Sequence, residues 1–183
     1  VFNDFDVGGK IDISRLSYGS KQIGRIIADV ALKDGVLRIN ELKASNLAGG
    51  TLGLTGSLSG FGTNNLKLQN IVYTARLVNV ASFLDEVGAD DLFDTIKFSN
   101  MQTEGRVNGD ANNLSFRATF ESSGLNVSAD GWLFLPFGKE ATGRFQFAMT
   151  QANAHNFMKL LAASYDLPQG FNGGVSIKGD ASV

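Results

Sequence analysis

The chain has 183 residues, 43% of them hydrophobic and 14 of them Phe, with 16 basic against 18 acidic residues for a formal net charge of −2. That length suits one domain, or one piece of a larger repetitive one, with enough apolar content for a sizeable core. No stretch concentrates Lys and Arg, which argues against nucleic-acid binding, and the absence of cysteine removes disulfides, thiolate nucleophiles and Cys-based metal sites.

Period two dominates from the first clear element onward. Ile26, Ala28, Val30 and Leu32 alternate with Ile27, Asp29, Ala31 and Lys33, and Asp34-Gly35 then supplies the positive φ angles of a two-residue hairpin turn. Val36 to Asn40 returns as a strand with Leu37 and Ile39 on one face. The glycine-rich stretch GGTLGLTGSLSG (Gly49 to Gly60) invites comparison with a phosphate-wrapping loop. Such a loop needs Lys followed by Ser or Thr after its last glycine, and must open a helix; here FGTNN follows instead. Leu52, Leu54, Gly56 and Leu58 alternate with Thr51, Gly53, Thr55 and Ser57, which predicts a strand with one slim polar face.

Two segments carry helical spacing. Asn79 heads a short one with Val80, Phe83, Leu84 and Val87 in phase, ending at Gly88. Further on, Leu114, Phe116, Ala118 and Phe120 alternate with Ser115, Arg117, Thr119 and Glu121; after a Ser122-Ser123-Gly124 turn, Leu125, Val127 and Ala129 continue the period. Asn153 heads the second helix, with Ala154, Phe157, Met158 and Leu161 in phase and Pro168 beyond. The two helices correspond at an offset of 74, and so do Ile71, Tyr73 and Ala75 with Phe145, Phe147 and Met149. Val107, Gly109 and Asp110 match Ile177, Gly179 and Asp180 at an offset of 70. An internal repeat over approximately 71–110 and 145–180 is therefore expected, each unit leaving apolar surface for a neighbour to cover. The chain begins at Val1 and stops at Val183 in an apparent strand, and reads as a single fragment of a longer repetitive domain.

No catalytic constellation is visible, and no cofactor or metal is expected. His155 is the single histidine and reads as a solvent-facing residue near a helix start. Asp85, Glu86, Asp90, Asp91 and Asp94 lack the alternating ligands and closing glutamate of a calcium loop. Ser99, Ser115 and Ser164 have no nucleophile-elbow glycines around them.

What remains is a set of apolar rows: Ile26, Val30, Leu32, Leu37, Ile39, Leu52, Leu54, Leu58, Leu114, Phe116, Phe120, Phe145 and Phe147. Leaving four such side chains in water costs about 6 to 12 kcal/mol, at about 1.5 to 3 each. Either the rows form the dry core of a closed sandwich or barrel, or they line a curved sheet whose apolar face holds lipid; both show the same alternation. The short helices are expected to plug or cap such a groove.

Phe5 to Gly60 carries a DGxLRL-like hairpin (Asp34-Gly35-Val36-Leu37-Arg38-Ile39) and an alanine leading through Gly-Gly into a strand (Ala44 to Thr51). NVASFLDEVG and NAHNFMKLLA each read as a strand-to-helix step, followed by the glycine-rich strands EGRVNGD and GGVSIKGD. In this order the motifs resemble the AsmA family, specifically its C-terminal region. The resemblance implies a mainly β fold, a curved antiparallel sheet of repeated units (a taco-like groove or sandwich-like) with two short helices. It also implies the periplasm of a Gram-negative bacterium and an inner-membrane anchor outside this fragment. The implied partners are phospholipid or another lipid, with envelope proteins besides. Members are bridge-like lipid transfer proteins between inner and outer membrane, so the candidate residues would desolvate acyl chains without making or breaking a bond. The alternative is a structural module with a closed core that aids outer-membrane protein biogenesis.

Overall fold

The computed structural model describes residues 6–18, 21–47, 49–61, 66–80, 82, 100–110, 112–134, 142–161 and 173–182. In chain order the elements are β1 (Val7–Ile13), β2 (Leu16–Tyr18), β3 (Lys21–Ile23), β4 (Ile26–Lys33), β5 (Val36–Leu47), β6 (Gly50–Ser59) and β7 (Lys67–Leu77). There follow β8 (Met101–Asp110), β9 (Asn113–Ser122), β10 (Leu125–Phe134), β11 (Thr142–Gln151), α1 (Ala154–Leu161) and β12 (Val175–Ser182). One ten-stranded sheet runs β1-β4-β5-β6-β7-β8-β9-β10-β11-β12, and β2 pairs with β3 in a small sheet of its own. Every neighbouring pair in the large sheet is antiparallel.

The sheet is curved and open, for its edge strands β1 and β12 do not pair with each other. The expected curved antiparallel sheet is thus what forms. A closed barrel does not form, and among the described residues no second large sheet faces this one to make a sandwich.

Local sequence dictates the turns. Asp34 (φ 49°) and Gly35 (φ 70°) form the two-residue link of β4 and β5, and Ser123 (φ 50°) and Gly124 (φ 79°) that of β9 and β10. Both central angles are positive, as a type I′ turn requires, and its twist matches that of the flanking strands.

Two strands break period two with a bulge. On β5, Asp29 pairs with Glu41 but Val30 with Ile39, leaving Asn40 as the extra residue. On β7, Leu68 pairs with Gly109 but Ile71 with Val107. The apolar spacing widens at the same places, from Ile39 to Leu42 and from Leu68 to Ile71, so each bulge returns the strand to phase and keeps its apolar residues on one face. Asn70 within the β7 bulge has φ 49°, and its N–H donates to Asn108 Oδ1 at 2.6 Å. Gly56 lies against this bulge with φ +137°; a Cβ there would meet Asn70 O and Ile71 Cδ1 at 2.7 Å. Its absence of side chain is a demand of the neighbouring strand.

Cross-strand pairing also sharpens the repeat. Tyr73 pairs with Gly105 and Phe147 with Gly179; Leu77 pairs with Met101 and Gln151 with Val175. Each of these positions recurs 74 residues later on both strands of the pair, so Gly179 stands where Gly105 does. The sequence match at 70 slides β12 by four residues, and the connections after β7 and β11 are equal in length.

Of the two expected helices, α1 forms. Asn153 Oδ1 accepts the N–H groups of His155 (2.9 Å) and Asn156 (3.2 Å), capping its start. Asn79 Oδ1 likewise accepts Ser82 N–H at 3.0 Å; the rest of that expected helix, through Gly88, lies outside the described residues, as do Asp85, Glu86, Asp90, Asp91, Asp94, Ser99 and Ser164.

Candidate functional site: the apolar face of the sheet

Antiparallel pairing sets directly opposite residues on the same face, so the register traces rows across the sheet. One row runs from edge to edge through Ile11, Ala28, Leu42, Leu54, Tyr73, Gly105, Ala118, Ala129, Phe147 and Gly179. A neighbouring row carries Ile13, Ile26, Ala44, Leu52, Ala75, Thr103, Phe120, Val127, Met149 and Ile177. On the other side lie Val30, Ile39, Phe116 and Phe145, then Leu32, Leu37, Leu58 and Leu114. Every apolar candidate from the sequence therefore sits on one face. At about 4.8 Å per strand this face extends about 43 Å along the arc of the sheet.

Large side chains on this face alternate with glycine across strands. Gly105 lies under the Tyr73 ring, where a Cβ would approach Cε1 and Cζ at 2.7 Å, and Gly179 lies beside the Phe147 ring at 3.0 Å. Gly131 sits between Phe116 and Phe145, whose ring centroids are 6.3 Å apart; Phe145 and Phe147 follow at 6.5 Å. The missing Cβ at these three positions gives the neighbouring aromatic rings room to lie over the backbone.

Burial is uneven. Along one margin Leu77, Val80, Leu125, Ala154 and Phe157 are buried, and α1 packs against β11 there. Two buried polar residues close the same margin with their bonds satisfied: Ser122 Oγ donates to Asn100 O at 2.5 Å, and Gln151 Nε2 donates to Ser123 O at 3.2 Å. Away from it, Ile39 and Ile71 are buried, but the other candidates, from Ile26 and Val30 to Phe145 and Phe147, are half-buried. Toward the β1 edge, Val7, Ile11 and Leu42 are exposed, at 61%, 53% and 38%.

The opposite face is polar and holds a feature that the sequence did not signal. A depression of about 850 Å³ over β8, β9 and β10 is lined by Glu104, Arg106, Arg117, Asp130 and Trp132, among others. Arg106 stands opposite Arg117, and Arg117 opposite Asp130. Two guanidiniums are thus balanced by two carboxylates, so the depression carries little net attraction for an ion of either sign. These residues escaped notice because each occupies an ordinary solvent-side position of an alternating strand; only the register brings them together.

Among the described residues one ion pair forms. Arg25 grips Asp12 through both carboxylate oxygens, Nε to Oδ1 at 2.8 Å and Nη2 to Oδ2 at 2.5 Å. The hydrogen bond from Arg25 lowers the Asp12 pKa below the usual carboxylate range, and Asp12 in turn raises that of Arg25. His155 is half-exposed in the first turn of α1, and Ser115 Oγ donates to Asn108 O at 3.2 Å at the other end of its strand pair. Among the described residues no group of three His, Asp or Glu side chains could hold a metal ion. Compared with known proteins, the chain matches no family model, no curated protein and no solved structure.

Proposed function

We propose that this chain binds lipid, its apolar sheet face receiving phospholipid acyl chains, and that it serves as a periplasmic lipid-transfer segment of an AsmA-like protein between inner and outer membrane. One observation carries the reading: an open ten-stranded sheet presents the candidate Leu, Ile, Val and Phe rows on one face, and most of those side chains are half-buried instead of sealed in a core. Half-exposed apolar rows gain by contact with any apolar partner, and an acyl chain offers that contact without asking for hydrogen bonds. No bond is made or broken in this role. Leu54 and Thr55 are adjacent on β6 but face opposite ways, so they test it. A photo-crosslinker at Leu54 in cells is expected to yield lipid adducts, and one at Thr55 none; no adduct at either position refutes the groove.

A second reading, a module that helps outer-membrane proteins insert by edge-strand pairing, is favoured by the edges of β1 and β12, which no strand among the described residues pairs. Outer-membrane protein crosslinks along β1, with no lipid at Leu54, would select it.

A further inference from the structure

The two edges of the sheet carry matching chemistry. Strand direction alternates across ten strands, an even number, so β1 and β12 run opposite ways. Laid beside the β1 of another molecule, β12 is therefore antiparallel to it with both apolar faces on the same side. On β1 the polar face shows Lys10 and Asp12, and the apolar face Ile11 and Ile13; on β12 these places are taken by Lys178 and Asp180, and by Ile177 and Gly179.

One register sets Lys10 opposite Asp180 and Asp12 opposite Lys178. The same register sets Ile11 opposite Gly179 and Ile13 opposite Ile177, repeating the large-beside-glycine arrangement of Tyr73 with Gly105. A slide of two residues one way puts Lys10 against Lys178, and the other way Asp12 against Asp180, which like-charge repulsion disfavours. A slide of one residue turns the apolar rows to opposite faces. Within their own sheet, Lys178 faces Ala148 and Asp180 faces Gln146, so neither has an opposite charge across from it. Asp12 keeps acceptor capacity beyond its bonds to Arg25, since each carboxylate oxygen carries two lone pairs.

We propose that copies of this chain associate head to tail, β12 of one pairing with β1 of the next in this register, and that the apolar face continues unbroken across the junction. Backbone hydrogen bonds supply the attraction and the two charge pairs fix the register. The contact is heterologous and leaves a free edge at each end, so growth does not stop at a dimer. This inference does not depend on lipid binding, and its test does not measure it.

Sedimentation of the 183-residue chain over a range of concentrations is expected to show a mean mass that rises past the dimer. K178D and D180K, each placing like charges at the junction, are each expected to weaken association about fivefold or more, and neither position has a charged partner on β11 to disturb. A parent chain that stays at monomer mass, or either variant associating as the parent does, would overturn the proposal.

Discussion

At the scale of single residues, the face of the sheet is decided by what each position lacks as much as by what it carries. Gly105, Gly131 and Gly179 stand opposite aromatic rings, and none of these partnerships can be seen in a strand read alone, because the ring and its glycine come from different strands. The candidate rows, by contrast, were legible: Leu54 and Phe116 advertise their face through the polar residues on either side of them. The exposed Asp12–Arg25 pair gives a titration test. With the folded pKa of Asp12 below its unfolded value, the pair's stabilisation is full above the ordinary carboxylate pKa and is lost as pH falls through the depressed folded value. An NMR titration should place the Asp12 midpoint below the ordinary carboxylate range, and Arg25→Ala should return it there. A midpoint that does not move in the variant would remove the guanidinium as its cause.

Among elements, the strands came through most clearly where two-residue turns and strict alternation coincide. β4 begins and ends where its pattern does, at Ile26 and Lys33. β5 runs past Asn40 to Leu47 because a bulge absorbs the extra polar residue; the three-residue step from Ile39 to Leu42 was its signal, and a search for period two alone passes over it. In the aromatic strands pairing follows the glycine that makes room for a ring, Gly105 beside Tyr73 and Gly179 beside Phe147, and not the Gly-Asp pairs that align at an offset of 70. α1 is short and gains its stability from the margin it covers. Replacing Phe157 by Ala should cost about 3–5 kcal/mol, and Asn153→Ala about 1 kcal/mol through loss of the cap, both read from denaturant midpoints. If Phe157→Ala costs less than Asn153→Ala, α1 does not seal the margin through its apolar face.

For the whole molecule, an open sheet with one apolar side differs from a sealed core in a way that solution measurements register. An environment-sensitive apolar dye should fluoresce with the native chain well below its unfolding transition and be displaced by a fatty acid. A native chain that leaves the dye dark would favour a covered face. The up-and-down order of the sheet has one more consequence, in the time domain. Within β4 to β7 and within β8 to β11, each strand pairs with the one just made across a short link, so each pairing closes a small loop. The pairings of β8 with β7 and of β12 with β11 must instead close the connections from Leu77 to Met101 and from Gln151 to Val175. In the unfolded chain each such closure costs about 2 kcal/mol more than a two-residue turn. Folding should therefore proceed as fast growth in blocks, β4 to β7 and β8 to β11, interrupted at two waiting points. At each of them a finished block holds an unpaired edge open until its next strand arrives.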